Sequence, residues 1–273
     1  MNTKLFFKII VVLTMTCMLF SGCSQPKVVD AREVIEKNKV EEWDLLWISD
    51  STGWGVADVY ANYVSEDLGI KINVMDKWMG GLSVGEVLNP LKGGSDPNLD
   101  LMNMADYIAE AEIIVFYGNP EQSVDPENPW DWNCGQGSLS QCYVTNCEMD
   151  VFDLYIDQVK EIYNIINTIR KGTPTMIRAY DSYNPRLVNQ CTPDGVFDEC
   201  RVCWENYSKA IHIAAEEMGV PVANVFDAWN GVDHTENPVD KGYVRDDGEH
   251  PNEKGAAVIA SVIRDLGYEM TIP

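Results

Sequence analysis

The sequence predicts an α/β fold, a three-layer α/β/α sandwich around a parallel five-stranded sheet. Three observations carry that reading. Short, compact apolar runs alternate with longer stretches in which apolar residues recur at helical spacing. The runs read as strands buried on both faces, as in a sheet covered by helices. Gly, Pro and Asn punctuate the places where one pattern gives way to the next.

Taken in order, residues 24–40 are polar and charged and read as a tether followed by a short helix. Residues 43–48 (Trp-Asp-Leu-Leu-Trp-Ile) are the first strand, and 56–68 a helix closed by Gly69. Residues 70–75 are the second strand, and 84–88 and 99–109 are helical. Residues 113–117 form the third strand, ending at Gly118-Asn119. The span 151–170 has strong helical spacing in Val151, Leu154, Tyr155, Val159, Ile162, Ile165, Ile166 and Ile169, and Gly172-Thr173-Pro174 ends it. Residues 175–179 are the fourth strand, 204–218 a helix stopped by Gly219, 222–226 the fifth strand and 256–266 the last helix. Ligands of such folds sit beyond the carboxyl ends of the strands. Ser51, Gly80-Gly81 and Asn119 follow strands one, two and three, so all face one edge.

The chain has 273 residues, enough for one large domain or two small ones. Residues 1–22 read as a signal peptide: Lys4 and Lys8 precede an apolar run that is short for a spanning helix. Ser21-Gly22-Cys23 resembles a bacterial lipobox, which makes Cys23 the expected lipidation site; an ordinary signal or an anchoring helix are the alternatives. Residues 23–40 are then a tether and 41–273 the folded domain. Two insertions, 120–150 and 181–203, hold Cys134, Cys142, Cys147, Cys191, Cys200 and Cys203. An even set of cysteines in an exported chain points to disulfides, at least one of them joining the two insertions, with a Cys200/Cys203 metal site as the rival.

Lys plus Arg number 20 against 43 Asp plus Glu, a net charge of −23. Such a surface repels phosphate backbones, which excludes nucleic acid as a partner class and argues against charge-driven docking to anionic lipid. Contact with a membrane is expected through the lipid anchor only.

The chemistry-bearing residues lie at the two ends. Ser49-Asp50-Ser51 stands at the mouth of strand one, and Asp247-Gly248-Glu249-His250-Pro251 stands near the other end. A serine hydroxyl is a poor nucleophile until a base removes its proton. The only histidines are 212, 234 and 250, and His250 has a carboxylate three residues upstream. These blocks, with Gly81-Leu82-Ser83 and Tyr117-Gly118-Asn119, resemble in order the four motifs of the SGNH (GDSL-type) hydrolases, a family of esterases and lipases. The resemblance spans residues 43–267. Ser49 replaces the glycine of the first motif, Gly118 stands directly beside Asn119 in the third, and the fourth matches throughout.

The resemblance implies a flavodoxin-like sheet and a site with Ser51 as nucleophile, His250 as base and Asp247 as its orienting carboxylate. The backbone amides of Ser51 and Gly81 and the side-chain amide of Asn119 become the oxyanion donors. No cofactor and no metal are expected. Each residue also has a plainer reading. Ser51 is placed to cap the helix beginning near Trp54, while Gly80-Gly81, Asn119-Pro120 and Asp247-Gly248 are ordinary turn signals. His234 is the backup base, Asp246 the rival to Asp247, and His212 a packing or surface residue. Trp130 and Trp132 are placed to stack on sugars or to anchor their loop; Trp54 reads as packing.

The expected function is an exported serine esterase acting on an acyl ester of a small molecule or carbohydrate, including an acetyl ester of a sugar. Two alternatives share the fold: a non-catalytic glycan-binding surface lipoprotein, and an O-acyltransferase.

Overall fold

The structure, a computed structural model, describes residues 26–119, 132–134, 142–144, 148–185 and 197–273. The expected signal segment, Cys23, Trp130, Cys147 and Cys191 lie outside these residues. Among the described residues no helix is long and apolar enough to cross a membrane.

The central sheet has five parallel strands: β2 (Glu42–Ile48), β3 (Lys71–Asp76), β4 (Ile113–Phe116), β7 (Met176–Tyr180) and β8 (Val222–Ala223). Their order is β3-β2-β4-β7-β8, the flavodoxin-like arrangement in which the first strand is flanked by the second and third. All residues of β4 and β7 are buried, which explains why they read as unbroken apolar runs. Arg178 is the exception in type. Its guanidinium, buried within β7, donates to the carbonyls of Ile177, Gly267 and Glu269 at 2.9, 2.9 and 3.0 Å, which offsets part of the cost of burying the charge, while its Nε has no partner among the described residues.

Helices cover both faces. On one, α2 (Val56–Leu68) packs against α9 (Glu253–Arg264). On the other, α3 (Val84–Leu91), α6 (Asp153–Ile169) and α7 (Phe197–Glu217) pack side by side. In α6 the buried face is Tyr155, Ile156, Val159, Ile162, Tyr163 and Ile166, one stripe of a 3.6-residue repeat. Asp67 on α2 holds Arg264 at 2.5 and 2.7 Å and also accepts from Tyr268, which ties the first helix of the sandwich to the last.

Four expectations need correction. The tether is partly built into the fold: β1 (Lys27–Asp30) pairs antiparallel with β9 (Glu269–Ile272), and α1 (Ala31–Asn38) follows, capped by Asp30. Four residues on each side too polar to look like core strands suffice for a surface ribbon, because each supplies the other's hydrogen bonds. The expected helix at 99–109 is two short pieces, α4 (Leu99–Met102) and α5 (Met104–Glu110). The fifth strand stops at Ala223, and its apolar continuation is a helix, α8 (Val225–Asn230), whose first turn is held by Phe226 N–H donating to Asp181 at 3.0 Å. The second insertion is shorter than it reads, since α7 begins at Phe197 and Asp181, Ser182 and Asn184 are buried. In the first insertion, β5 (Trp132–Cys134) and β6 (Cys142–Val144) form an antiparallel pair whose register sets Cys134 opposite Cys142.

Candidate active site

Ser51 opens a single 3-10 turn, residues Ser51–Gly53, at the carboxyl end of β2. Asp50, not Ser51, caps that turn. One carboxylate oxygen accepts from the Thr52 N–H at 2.8 Å and the Thr52 hydroxyl at 2.6 Å. The following helix starts at Val56 with Gly55 as its N-cap and no side-chain cap bond, so the capping role that Ser51 was placed to fill is not used. The Ser51 hydroxyl lies instead 2.9 Å from Nε2 of His250, 199 positions away in sequence.

His250 is held by its own loop. Its Nδ1 is 3.0 Å from Asp247 Oδ2, and the Asp247 Oδ1 accepts the backbone N–H of Glu249 at 2.8 Å and of His250 at 2.9 Å. Asp247, rather than Asp246, is therefore the carboxylate on the ring. Burial pulls the Asp247 carboxyl upward, but those two backbone donors and the imidazole outweigh it and hold it below the ordinary value. Gly248 turns the loop at φ +76°, where a side chain would be strained. The loop is also pinned from outside. Arg245 N–H donates to His250 O at 2.9 Å, Arg245 Nε donates to Pro251 O at 2.8 Å, and the Tyr183 hydroxyl donates to Glu249 O at 2.9 Å.

Gly81 lies in the loop after β3. That loop is fixed at one end by Met79 N–H donating to Ser49 O at 3.1 Å. At the other end Ser83 is the N-cap of α3 and forms a capping box with Glu86. No hydrogen bond engages the backbone N–H of Ser51 or Gly81 among the described residues. Asn119 follows β4 and bridges Ser83, and its carbonyl accepts from Val84 N–H at 3.1 Å. The structure thus brings Ser51, Gly81 and Asn119 to the same sheet edge as His250 and Asp247.

The two positions that depart from the motif pattern are both tightly held. The Ser49 side chain is fully buried. Its hydroxyl accepts from Trp47 Nε1 at 3.0 Å and donates to Asp50 O at 3.0 Å. Room for it comes from Gly53, where an added Cβ would stand 2.1 Å from Ser49 Oγ. The Gly118 carbonyl, next to Asn119, accepts from the buried hydroxyls of Tyr155 at 3.0 Å and Tyr207 at 2.7 Å.

Sequence reasoning missed one contact entirely. The Asn119 side-chain amide donates to Asp50 Oδ2 at 2.7 Å. Asp50 is buried, and desolvation raises its carboxyl above the ordinary value despite the donors from Thr52 and Asn119 and the nearby His250. No spacing rule links residues 50 and 119; only adjacency of β2 and β4 brings them together. The other histidines are committed elsewhere. His234 lies between Glu205 at 3.1 Å and Asp227 at 2.9 Å, and His212 between Asp181 and Glu216, each at 3.2 Å. Among the described residues no cluster of three or more His, Cys, Asp or Glu is placed to hold a metal ion.

No protein-family model matches the chain, and no curated protein does. Solved structures do. The chain is similar to a lipase from a goat rumen metagenome at 17% identity and a TM-score of 0.55, over 83% of this chain and 98% of that one. It is also similar to a gut microbial diltiazem-metabolizing enzyme at 12% identity and a TM-score of 0.50, over 83% of this chain but 47% of that one. At such identities the likeness shows the fold alone: an α/β/α sandwich on a five-stranded parallel sheet, shared with the goat-rumen lipase.

Proposed function

We propose that the protein is a serine esterase that hydrolyses an acyl ester through Ser51, His250 and Asp247. One observation carries the reading: a continuous hydrogen-bonded line runs from Ser51 Oγ through both ring nitrogens of His250 to Asp247. In a serine hydrolase each link has a task. His250 Nε2 takes the hydroxyl proton as Ser51 Oγ attacks the ester carbonyl. Asp247 keeps the remaining ring proton on Nδ1 and stabilises the imidazolium that forms. The negative oxygen of the tetrahedral intermediate is met by the Ser51 and Gly81 amides and the Asn119 side chain. The intermediate collapses, the C–O bond to the alcohol breaks, and His250 returns its proton to the departing oxygen. Water, deprotonated by His250, then attacks the acyl-enzyme and releases the acid with Ser51 restored.

The proposal extends to an exported protein, lipid-anchored at Cys23 after loss of residues 1–22, with a small-molecule or carbohydrate ester as substrate. Two features support the export reading: the lipobox-like Ser21-Gly22-Cys23 and the charged-then-apolar residues before it.

The test is turnover of short-chain acyl esters by the parent, Ser51→Ala and His250→Ala. Both variants are expected to lose nearly all activity, about 10³-fold or more. Turnover that survives in both discards the site. A parent inactive on every acyl ester discards the esterase reading itself.

A further inference from the structure

Beside the Ser51–His250 pair stands a three-membered stack. The indoles of Trp54 and Trp78 lie with centroids 5.4 Å apart and planes 20° from parallel. The Arg245 guanidinium carbon sits 3.5 Å from the Trp54 ring centroid. A guanidinium at that height fills one face of Trp54, so Trp78 takes the other, and the outer face of Trp78 remains. Both indoles are open, 41% and 37% exposed, whereas Trp43, Trp47 and Trp229 are buried.

Each member belongs to a segment that also bears a residue of the proposed site. Trp54 N–H donates to Ser51 O at 3.2 Å. Trp78 lies in the loop leading to Gly81, between Lys77 and Met79, whose N–H groups donate to Trp47 O at 2.8 Å and Ser49 O at 3.1 Å. Arg245 is tied to His250 and Pro251. The stack is therefore fixed relative to the nucleophile rather than carried on a separate loop. Large exposed aromatic surface is unfavourable in water, and exposed apolar patches rimmed by polar groups mark binding sites. Here the rim is an adjoining depression lined by Arg245, Asn252, Glu253 and Lys254. Arg245 makes no ion pair and no Nη hydrogen bond among the described residues.

We infer that the Trp54–Trp78–Arg245 stack is the subsite for the alcohol half of the ester, and that this half is a pyranose ring of a glycan. A pyranose offers C–H groups on its face and hydroxyls around its edge. The first suit the electron-rich face of an indole, and the second suit donors and acceptors such as those of Arg245 and Glu253. A long aliphatic alcohol would call for an enclosed apolar channel, and this surface is open with charge at its margin. The inference rests on the serine-esterase reading.

The test compares kcat/KM of the full chain and its Trp78→Ala variant on an O-acetylated methyl glucopyranoside and on ethyl acetate, whose alcohol has no ring. Trp78→Ala is expected to lose about tenfold on the sugar ester, the scale of one lost stacked ring, and to stay within about twofold on ethyl acetate. Equal losses on both esters, or no loss on the sugar ester, overturn the inference. Should the parent turn over neither ester, binding decides. Saturable quenching of tryptophan fluorescence by the same glucopyranoside, abolished in Trp78→Ala, then supports the platform, and its absence in the parent overturns it.

Discussion

The side-chain amide of Asn119 donates to Asp50 at 2.7 Å, and Asp50 is the neighbour of Ser51 in sequence. A buried carboxylate one position from the proposed nucleophile thus sets the plane of the amide proposed to meet the oxyanion. Asn119→Ala is expected to lower kcat by about 10²–10³ with little change in KM. Asp50→Ala removes the anchor of the same group. The double variant is therefore expected to cost scarcely more than the worse single variant. Steady-state kinetics on one acyl ester measures this; additive losses would mean that the two residues act separately.

Ser49 and Gly53 share one small space. A Cβ at position 53 would stand 2.1 Å from Ser49 Oγ and 2.7 Å from Trp47 Nε1. Gly53→Ala is expected to destabilise the fold by about 1–3 kcal/mol, the usual range for overpacking. Ser49→Gly removes the closer obstacle but leaves the indole, so the pair Ser49→Gly, Gly53→Ala recovers part of the loss. Urea denaturation of the four proteins in the cycle gives the coupling, and no recovery would place the strain elsewhere.

Asp67 ties α2 to Arg264 and Tyr268, and the Arg264 hydrogen bond leads the causes that lower its carboxyl from 3.8 to about 2. Because the folded value lies below the unfolded one, the stabilisation is complete above about pH 4 and fades as pH falls toward about 2. Asp67→Asn is expected to lower Tm by about 2 °C near neutral pH, as for a partly exposed ion pair. The gap between variant and parent should narrow in acid. Melting curves at several pH values test it, and a gap that widens as pH falls contradicts the assignment.

Cys134 and Cys142 are directly opposed in the β5–β6 register. Opposed positions of an antiparallel pair bring Cα atoms to about 4.5–5.5 Å, within the span a disulfide bridges. Peptide mapping without reduction is expected to return a Cys134–Cys142 bond in protein folded under oxidising conditions. Any bond between the two insertions would then use Cys147 with Cys191, Cys200 or Cys203. Recovery of Cys134 joined to the second insertion would contradict the pairing.

Much of the architecture was legible in advance because burial leaves a local trace. The compact apolar runs at β2 and β4 and the striped helix α6 announce strands covered on both faces and a helix covered on one. The β1–β9 ribbon left no such trace. It lies on the surface, and its strands are defined by pairing with each other across nearly the whole chain. The β8–α8 boundary was also hidden, since a short apolar run serves strand or helix equally well until a cap such as Asp181 selects one.

The site divides along the same line. Sequence by itself determined which residues carry suitable chemistry: a serine and an asparagine at strand ends, and a histidine with its carboxylate within one turn of loop. Those choices depend on residue type and short spacing. Tertiary structure alone decided how they meet: Ser51 on His250, Asn119 on Asp50, Gly53 making room for Ser49, and Trp54 between Trp78 and Arg245. The reason is physical. Hydrogen bonds and ring contacts act over a few ångströms, and which residues come that close is set by strand order and helix packing rather than by neighbours along the chain.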